Sequence, residues 1–259
     1  MAETGSTNAD ARALARDGAS EGIVLVADHQ SAGRGRHDRR WEAPPSASLL
    51  LTVLLRPPAA GVGATTMAVA VAAAEATESV AAVSPRLKWP NDLVWPGDGS
   101  EPDRKLGGIL AEADWPAAAD VAAGWRAPGP SERAVVVVGL GLNVNWPDPP
   151  GGELADTAVA VNHLAGRDID REELLIELLG RLDGHYGDLV ARRSEAGVFG
   201  SWRSRSATLG RQVRVDLGVE DIEGTAVDVT SDGHLVVETA PGRRRTLAVG
   251  DVVHLRPRN

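Results

Sequence analysis

Several short clusters in this sequence carry the residue types needed for chemistry on an anionic substrate. Gly33-Arg34-Gly35-Arg36-His37-Asp38-Arg39-Arg40-Trp41 sets glycines among forked cations. Glycine lets a loop wrap a ligand closely, and guanidinium groups offer paired donors to a carboxylate or phosphate. A solvated basic loop or a nonspecific RNA-binding segment would have the same composition. No Gly-Lys-Ser/Thr follows, so it is not a Walker loop. Lys88-Trp89-Pro90-Asn91-Asp92 places a cation, a proline turn and two short polar side chains within five residues, though a purely structural turn would read alike. Lys105 stands before Leu106-Gly107-Gly108-Ile109-Leu110. There it could reach a phosphate, or simply guard an edge strand.

Two further clusters are more ambiguous. Val138-Gly139-Leu140-Gly141-Leu142-Asn143 resembles a dinucleotide fingerprint only superficially, because the third glycine is missing and a proline-rich loop follows. Glycines leading to Asn143 at a strand end suit close ligand approach with one polar contact. Thr4-Gly5-Ser6-Thr7-Asn8 suits helix capping, which is compatible with ligand binding. The six histidines show no His-x-x-x-His spacing, so a zinc site is not supported.

Composition narrows the choice. The 259 residues fit one large domain, or one large and one small. With 43% hydrophobic and 24% charged residues, a packed core is expected rather than disorder. A net charge of −9 argues against a dedicated nucleic-acid binder, although a local basic patch remains open. Without cysteine there is no disulfide scaffold, thiolate metal site or thiol nucleophile. Only two of the 27 basic residues, Lys88 and Lys105, are lysine, which makes their positions informative. The start, Met1-Ala2-Glu3-Thr4-Gly5, lacks a basic stretch followed by an apolar run, so no signal peptide is expected. No unbroken apolar stretch of about 18 residues suggests a membrane span. A cytoplasmic protein without membrane contact is the expectation.

These clusters need elements to position them. A helix is expected over roughly residues 9–17, capped by Thr7 or Asn8 and closed by Gly18. Ile23–Ala27, Ser48–Leu55, Leu87–Trp89, Leu106–Ala111 and Ala134–Val138 read as strands. Thr65–Val83 and Arg171–Arg193 read as helices, the second amphipathic through Leu174, Leu175, Leu178, Leu179 and Leu182. Gly97–Asp103 and Trp115–Arg133 read as loops. After about Arg205, five short β-like runs alternate with turns, which suggests a small β-barrel. The expected boundary gives domains 1–203 and 204–259.

Taken together in order and spacing, the clusters resemble the biotin protein ligases, also called biotin–[acetyl-CoA-carboxylase] ligases, over nearly the whole chain. That resemblance implies an α/β (α+β) fold: a mixed β-sheet flanked by helices, as in class II aminoacyl-tRNA synthetases, plus a small C-terminal β-barrel. It implies ATP and Mg2+ as co-substrates, biotin as substrate and no tightly bound cofactor. It also implies biotinyl-5′-AMP formation and transfer of biotin to a lysine of the biotin carboxyl carrier domain of an acyl-CoA carboxylase. By the same resemblance Ser6, Thr7, Asn8 and Gln30 line the biotin pocket. Gly33, Arg34, Gly35 and Arg36 close over biotin and its adenylate, and Trp41 packs near the adenine. Lys88, Asn91, Gly108 and Asn143 belong to the adenylate site, with Mg2+ brought by ATP near Asn143. Lys105, Asp92 and Arg36 are the catalytic candidates: Lys105 at the carboxylate and α-phosphate, Asp92 orienting or deprotonating the incoming amine.

Two departures from the family pattern stand out. Asp38 occupies a position that is normally glycine, adding negative charge and stiffness beside an anion site. The chain also begins almost at the first motif, where relatives have an upstream strand, so an edge strand is either missing or lies beyond this start. The short start leaves no room for an N-terminal helix-turn-helix domain, so ligation without DNA binding is expected. Two alternatives remain: a lipoate or octanoate ligase of the same superfamily, and a non-catalytic biotin-sensing module.

Overall fold

The computed structural model describes residues 1–97, 102–114, 129, 132–150, 154–191 and 195–255. Most of the loops expected at Gly97–Asp103 and Trp115–Arg133 lie outside these residues.

Strands buried along much of their length, β4 at every residue, build the main sheet. Its strands are β2 (Val24–Ala27), β4 (Ser48–Leu55), β5 (Arg86–Lys88), β6 (Asp92–Trp95), β7 (Arg104–Asp114) and β8 (Val135–Asn143). They lie in the order β2-β4-β8-β7-β6-β5, with every pairing antiparallel. Parallel pairing joins β1 (Glu3–Thr4) to β3 (His29–Gln30) outside that sheet.

On one face, Leu49, Leu51, Val53 and Leu55 of β4 and Val136, Val138, Leu140 and Leu142 of β8 pack into the core with α2 (Val62–Ala81). Small alanines let this helix sit close, and α4 (Arg171–Val190) packs over it through Leu174, Leu178 and Leu182. Asp170 caps α4 by accepting from the N–H groups of Glu172 and Glu173. With the turn before it, α2 is long and apolar enough to cross a membrane by length and composition. Its apolar window is 61% buried inside the fold, as befits a core helix. α3 (Val161–Ala165) and α5 (Glu195–Arg205) are the other α-helices among the described residues.

The other face is covered at one end by α1 (Thr7–Arg16), where Ala11 packs on Leu54 and Val137. The rest of that face is left for a cleft. The expected cap is corrected: Ser6, in extended conformation, precedes the helix, and Thr7 and Asn8 lie inside its first turn. Their side chains turn into the sheet instead of capping the helix.

The C-terminal strands are β9 (Gln212–Asp216), β10 (Asp221–Val229), β11 (Leu235–Ala240), β12 (Arg243–Leu247) and β13 (Asp251–His254). The expected barrel is also corrected. The strands form an antiparallel sheet ordered β12-β11-β10-β9-β13. β13 folds back onto β9 while β12 stays on β11, so these two occupy opposite edges and do not close the sheet. Val213, Val215, Ile222, Leu235 and Val237 join the same apolar cluster as the main sheet. The Trp89 indole N–H donates to Gly233 O at 2.8 Å, and Ala207 N–H to Leu87 O at 2.8 Å. These bonds tie the smaller sheet to the turn that carries Lys88 and Asn91.

Candidate active site

A cleft of about 720 Å³ opens between the sheet, the arginine-glycine loop and the edge of the C-terminal sheet. Ser6, Thr7, Asn8, Gln30, Arg34, Gly35, Arg36, Trp41, Lys88, Asn91, Asp92, Lys105, Gly108 and Asn143 all line it. Gly33 sits behind the lining. A Cβ there would lie 2.6 Å from Trp41 O, so the glycine permits the loop to close on itself through Trp41 N–H to Gly33 O at 3.0 Å.

One end of the cleft is polar without being strongly charged. Gln30 Oε1 accepts from Thr7 N–H at 2.8 Å and lies 3.0 Å from the Thr7 hydroxyl. The Thr52 hydroxyl donates to Asn8 Oδ1 at 2.6 Å and lies 2.8 Å from Thr7 Oγ1. Asn8 Nδ2 donates to Leu110 O at 3.1 Å and to Glu112 at 2.9 Å. Every hydrogen-bonding atom of the buried Asn8 side chain is thereby fixed. Glu112 also pairs with Arg12 at 3.1 Å and with Arg34 of the loop at 3.2 Å. It ties α1, β7 and the loop together.

The other end is cationic, with Arg36, Lys88 and Lys105. Over the whole lining six basic side chains (Arg34, Arg36, Arg39, Arg40, Lys88, Lys105) stand against three acidic ones (Glu42, Asp92, Asp251), opposite to the negative balance of the whole chain. Lys105 Nζ lies 2.6 Å from Asp92 Oδ1 and 5.6 Å from the Trp41 ring centroid. A bulge aims it: Val94 pairs with Lys105 and Leu93 with Gly107, leaving Leu106 unmatched. Leu106 and Ile109 therefore enter the core while Lys105 and Gly108 share the cleft side. Lys88 forms no ion pair among the described residues and remains available to a ligand. Asn91 is locked by Nδ2 donating to Ile109 O at 2.7 Å.

Gly139 and Gly141 face the cleft side, with Asn143 next along β8. A Cβ at Gly139 would run into the Asn8 side chain, and one at Gly141 would lie 2.5 Å from the Trp41 ring. Two side chains of the protein, Asn8 and Trp41, thus come close to these cleft-lining glycines. Asn143 is 3% exposed, and its Nδ2 donates to Val159 O at 3.2 Å. Its Oδ1 is buried without a partner, as is the Trp41 indole N–H. Each offers one unmet hydrogen bond to a ligand.

Sequence reasoning passed over three contributors. Thr52 had a signal, as the polar residue inside the otherwise apolar stretch Leu49–Leu55 of β4. Glu112 had a weaker one, as a charge late in an apolar strand. Asp251, contributed by the C-terminal sheet, had none, because its neighbours in the cleft are distant in sequence.

The model of the biotin/lipoate A/B protein ligase family matches residues 5–115, and that of the biotin protein ligase C-terminal domain matches residues 208–255. A biotin–[acetyl-CoA-carboxylase] ligase of Mycobacterium tuberculosis is 36% identical over 268 residues, covering 99% of this chain and 88% of that protein. The chain belongs to the biotin protein ligase family. A second biotin protein ligase relative, the biotin–[acetyl-CoA-carboxylase] ligase of Paracoccus denitrificans, is 30% identical, with 94% of this chain and 95% of that protein covered. Among solved structures, the biotin protein ligase from Aquifex aeolicus in complex with biotin and ATP superposes with a TM-score of 0.77 at 26% identity. The match covers 99% of this chain and 97% of that one.

Proposed function

We propose that this biotin protein ligase forms biotinyl-5′-AMP from biotin and ATP and transfers biotin to a lysine of a carboxyl carrier domain. The observation that carries this reading is the meeting of both lysines of the chain with Arg36 in one cleft of about 720 Å³, a volume in the range of small-molecule sites.

In this reading, the amide and hydroxyl end formed by Ser6, Thr7, Asn8 and Gln30 takes the uncharged ring system of biotin. The cationic end takes the phosphates. A biotin carboxylate oxygen attacks the α-phosphorus, and the bond to pyrophosphate breaks. Arg36, Lys88 and Lys105 stabilise the charge that builds on the phosphoryl oxygens. The carrier amine then attacks the acyl carbon and AMP leaves. Asp92, relieved of Lys105 once phosphate is bound, accepts the amine proton. Trp41, with Gly108 and Gly141 beneath it, forms the wall for the adenine. Mg2+ would neutralise phosphate charge. Asn143 Oδ1, buried without a partner, and the Asp92 carboxylate are oxygen donors that would hold an ion arriving with the nucleotide. We assign residues 1–203 to the catalytic unit and 204–259 to the C-terminal one. We place the protein in the cytoplasm, with its ATP.

ATP–pyrophosphate exchange measured with biotin, lipoate and octanoate in turn tests the reading. Exchange with biotin alone is expected. Exchange with lipoate or octanoate instead would move the assignment to that branch of the superfamily, and biotin binding without exchange would leave a sensor.

A further inference from the structure

One carboxylate of the cleft comes from the C-terminal sheet, and at first sight it is badly placed. Asp251 stands at the cationic end, where a negative charge should repel phosphate. Its surroundings suggest a use. Asp251 Oδ2 lies 2.6 Å from the Arg39 guanidinium, and Oδ1 lies 3.3 Å from Arg36 and 3.6 Å from His37 Nε2. Arg36 also donates to Gly250 O at 3.3 Å and to Asn91 Oδ1 at 3.5 Å. Two arginines and a histidine of the loop thus converge on one side chain over 200 residues away.

The position of Asp251 is set by the C-terminal fold. The register pairs Asp251 with Asp216 at the start of β13. The preceding Gly250 has φ 143°, and a Cβ there would lie 2.5 Å from Val215. Only glycine fits a turn this tight. At the opposite flank of the loop, Glu112 holds Arg34. The loop is therefore gripped at both sides by carboxylates that do not belong to it.

We propose that Asp251 is a positioning residue, through which the C-terminal sheet clasps the arginine-glycine loop, directs Arg36 into the cleft and slows escape of the activated acid. The clasp deepens the ligase reading and rests on it for its last clause only. Two arginines against one carboxylate leave a net positive charge, so the clasp orders the cations without cancelling them.

Loop closure can be read directly, because trypsin cuts after Arg36 only when the loop opens. Asp251→Asn and Asp251→Glu are compared with wild type by mass-spectrometric mapping of that cut and by the rate at which preformed biotinyl-adenylate is lost. With two partly exposed pairs weakened, Asp251→Asn should raise both by about three- to tenfold, and Asp251→Glu should restore much of each. The KM for biotin should change little. Wild-type values for Asp251→Asn in both measurements would overturn the clasp. Arg39→Ala alters only a lid side chain that is 71% exposed, so it cannot unfold the core. It should reproduce the faster cut after Arg36, and unchanged cutting there would equally overturn the clasp. If wild type makes no adenylate, the ligase reading fails while the proteolysis still decides whether the loop is clasped.

Discussion

Gly139 and Gly141 offer a test in which one methyl group is placed against a known neighbour. The Asn8 side chain beside Gly139 is 5% exposed and held by Thr52 at 2.6 Å, Glu112 at 2.9 Å and Leu110 O at 3.1 Å. In Gly139→Ala the new Cβ occupies the place of Asn8 Oδ1, so Asn8 must move and surrender some of these bonds. Each is worth about 1 kcal/mol net, and overpacking typically costs about 1–3 kcal/mol. We expect a loss of about 2–4 kcal/mol, seen as a fall of roughly 4–16 °C in Tm for a chain of this size. Biotin affinity, measured by titration calorimetry, should fall about tenfold or more, since 1.4 kcal/mol is a factor of ten. Gly141→Ala instead displaces the Trp41 ring, 2.5 Å from the new Cβ, and should raise the KM for ATP more than it weakens biotin binding. A Gly139→Ala protein that melts within about 2 °C of wild type and binds biotin within about twofold would refute the packing argument.

Two other outcomes are expected. Burial alone would raise the pKa of Asp103, but hydrogen bonds from His254 and Gly97 N–H, with the charge of Arg211, outweigh it and hold the pKa at about 2. A depressed carboxyl stabilises the fold above its unfolded value of 3.8 and loses that contribution as pH falls toward 2. The contribution is about 2 kcal/mol. Asp103→Asn should therefore flatten the decline in Tm between pH 4 and pH 2, and a decline as steep as that of wild type would count against it. In the loop, Asp38→Gly should slow the loss of biotinyl-adenylate by removing a like charge and freeing the backbone; an unchanged off-rate would sink that expectation.

The two parts of the problem were unequally legible in the sequence. Strand β4 was readable to the residue, because an apolar run interrupted only by Thr52 and set between turn formers has few other uses. The ends of α1 and α2 were misplaced by a few residues. Ser6 starts α1 with no side-chain cap bond to mark it, and α2 starts at Val62 without a capping side chain. The open C-terminal sheet was not readable, since strand order depends on which partner β13 chooses and five short alternating runs suit either closure or an open sheet. Within the cleft, residues that would touch ligand form compact motifs of unusual composition. The residues that hold them, Thr52, Glu112 and Asp251, are ordinary in type and reach their partners only through tertiary contact.

Lys105 is where the account is most exposed to refutation. Its Nζ is aimed by a strand bulge, and its only ion pair among the described residues is with Asp92. It is 38% exposed, so Lys105→Ala should leave the melting curve nearly unchanged. Wild-type protein given ATP, Mg2+ and biotin should add one biotinyl group to a single lysine of a purified carrier domain, read by intact-mass spectrometry. Lys105→Ala should slow that addition by at least about 10²- to 10³-fold. A wild type that leaves the carrier unmodified, or a Lys105→Ala protein that modifies it at the wild-type rate, would contradict the account.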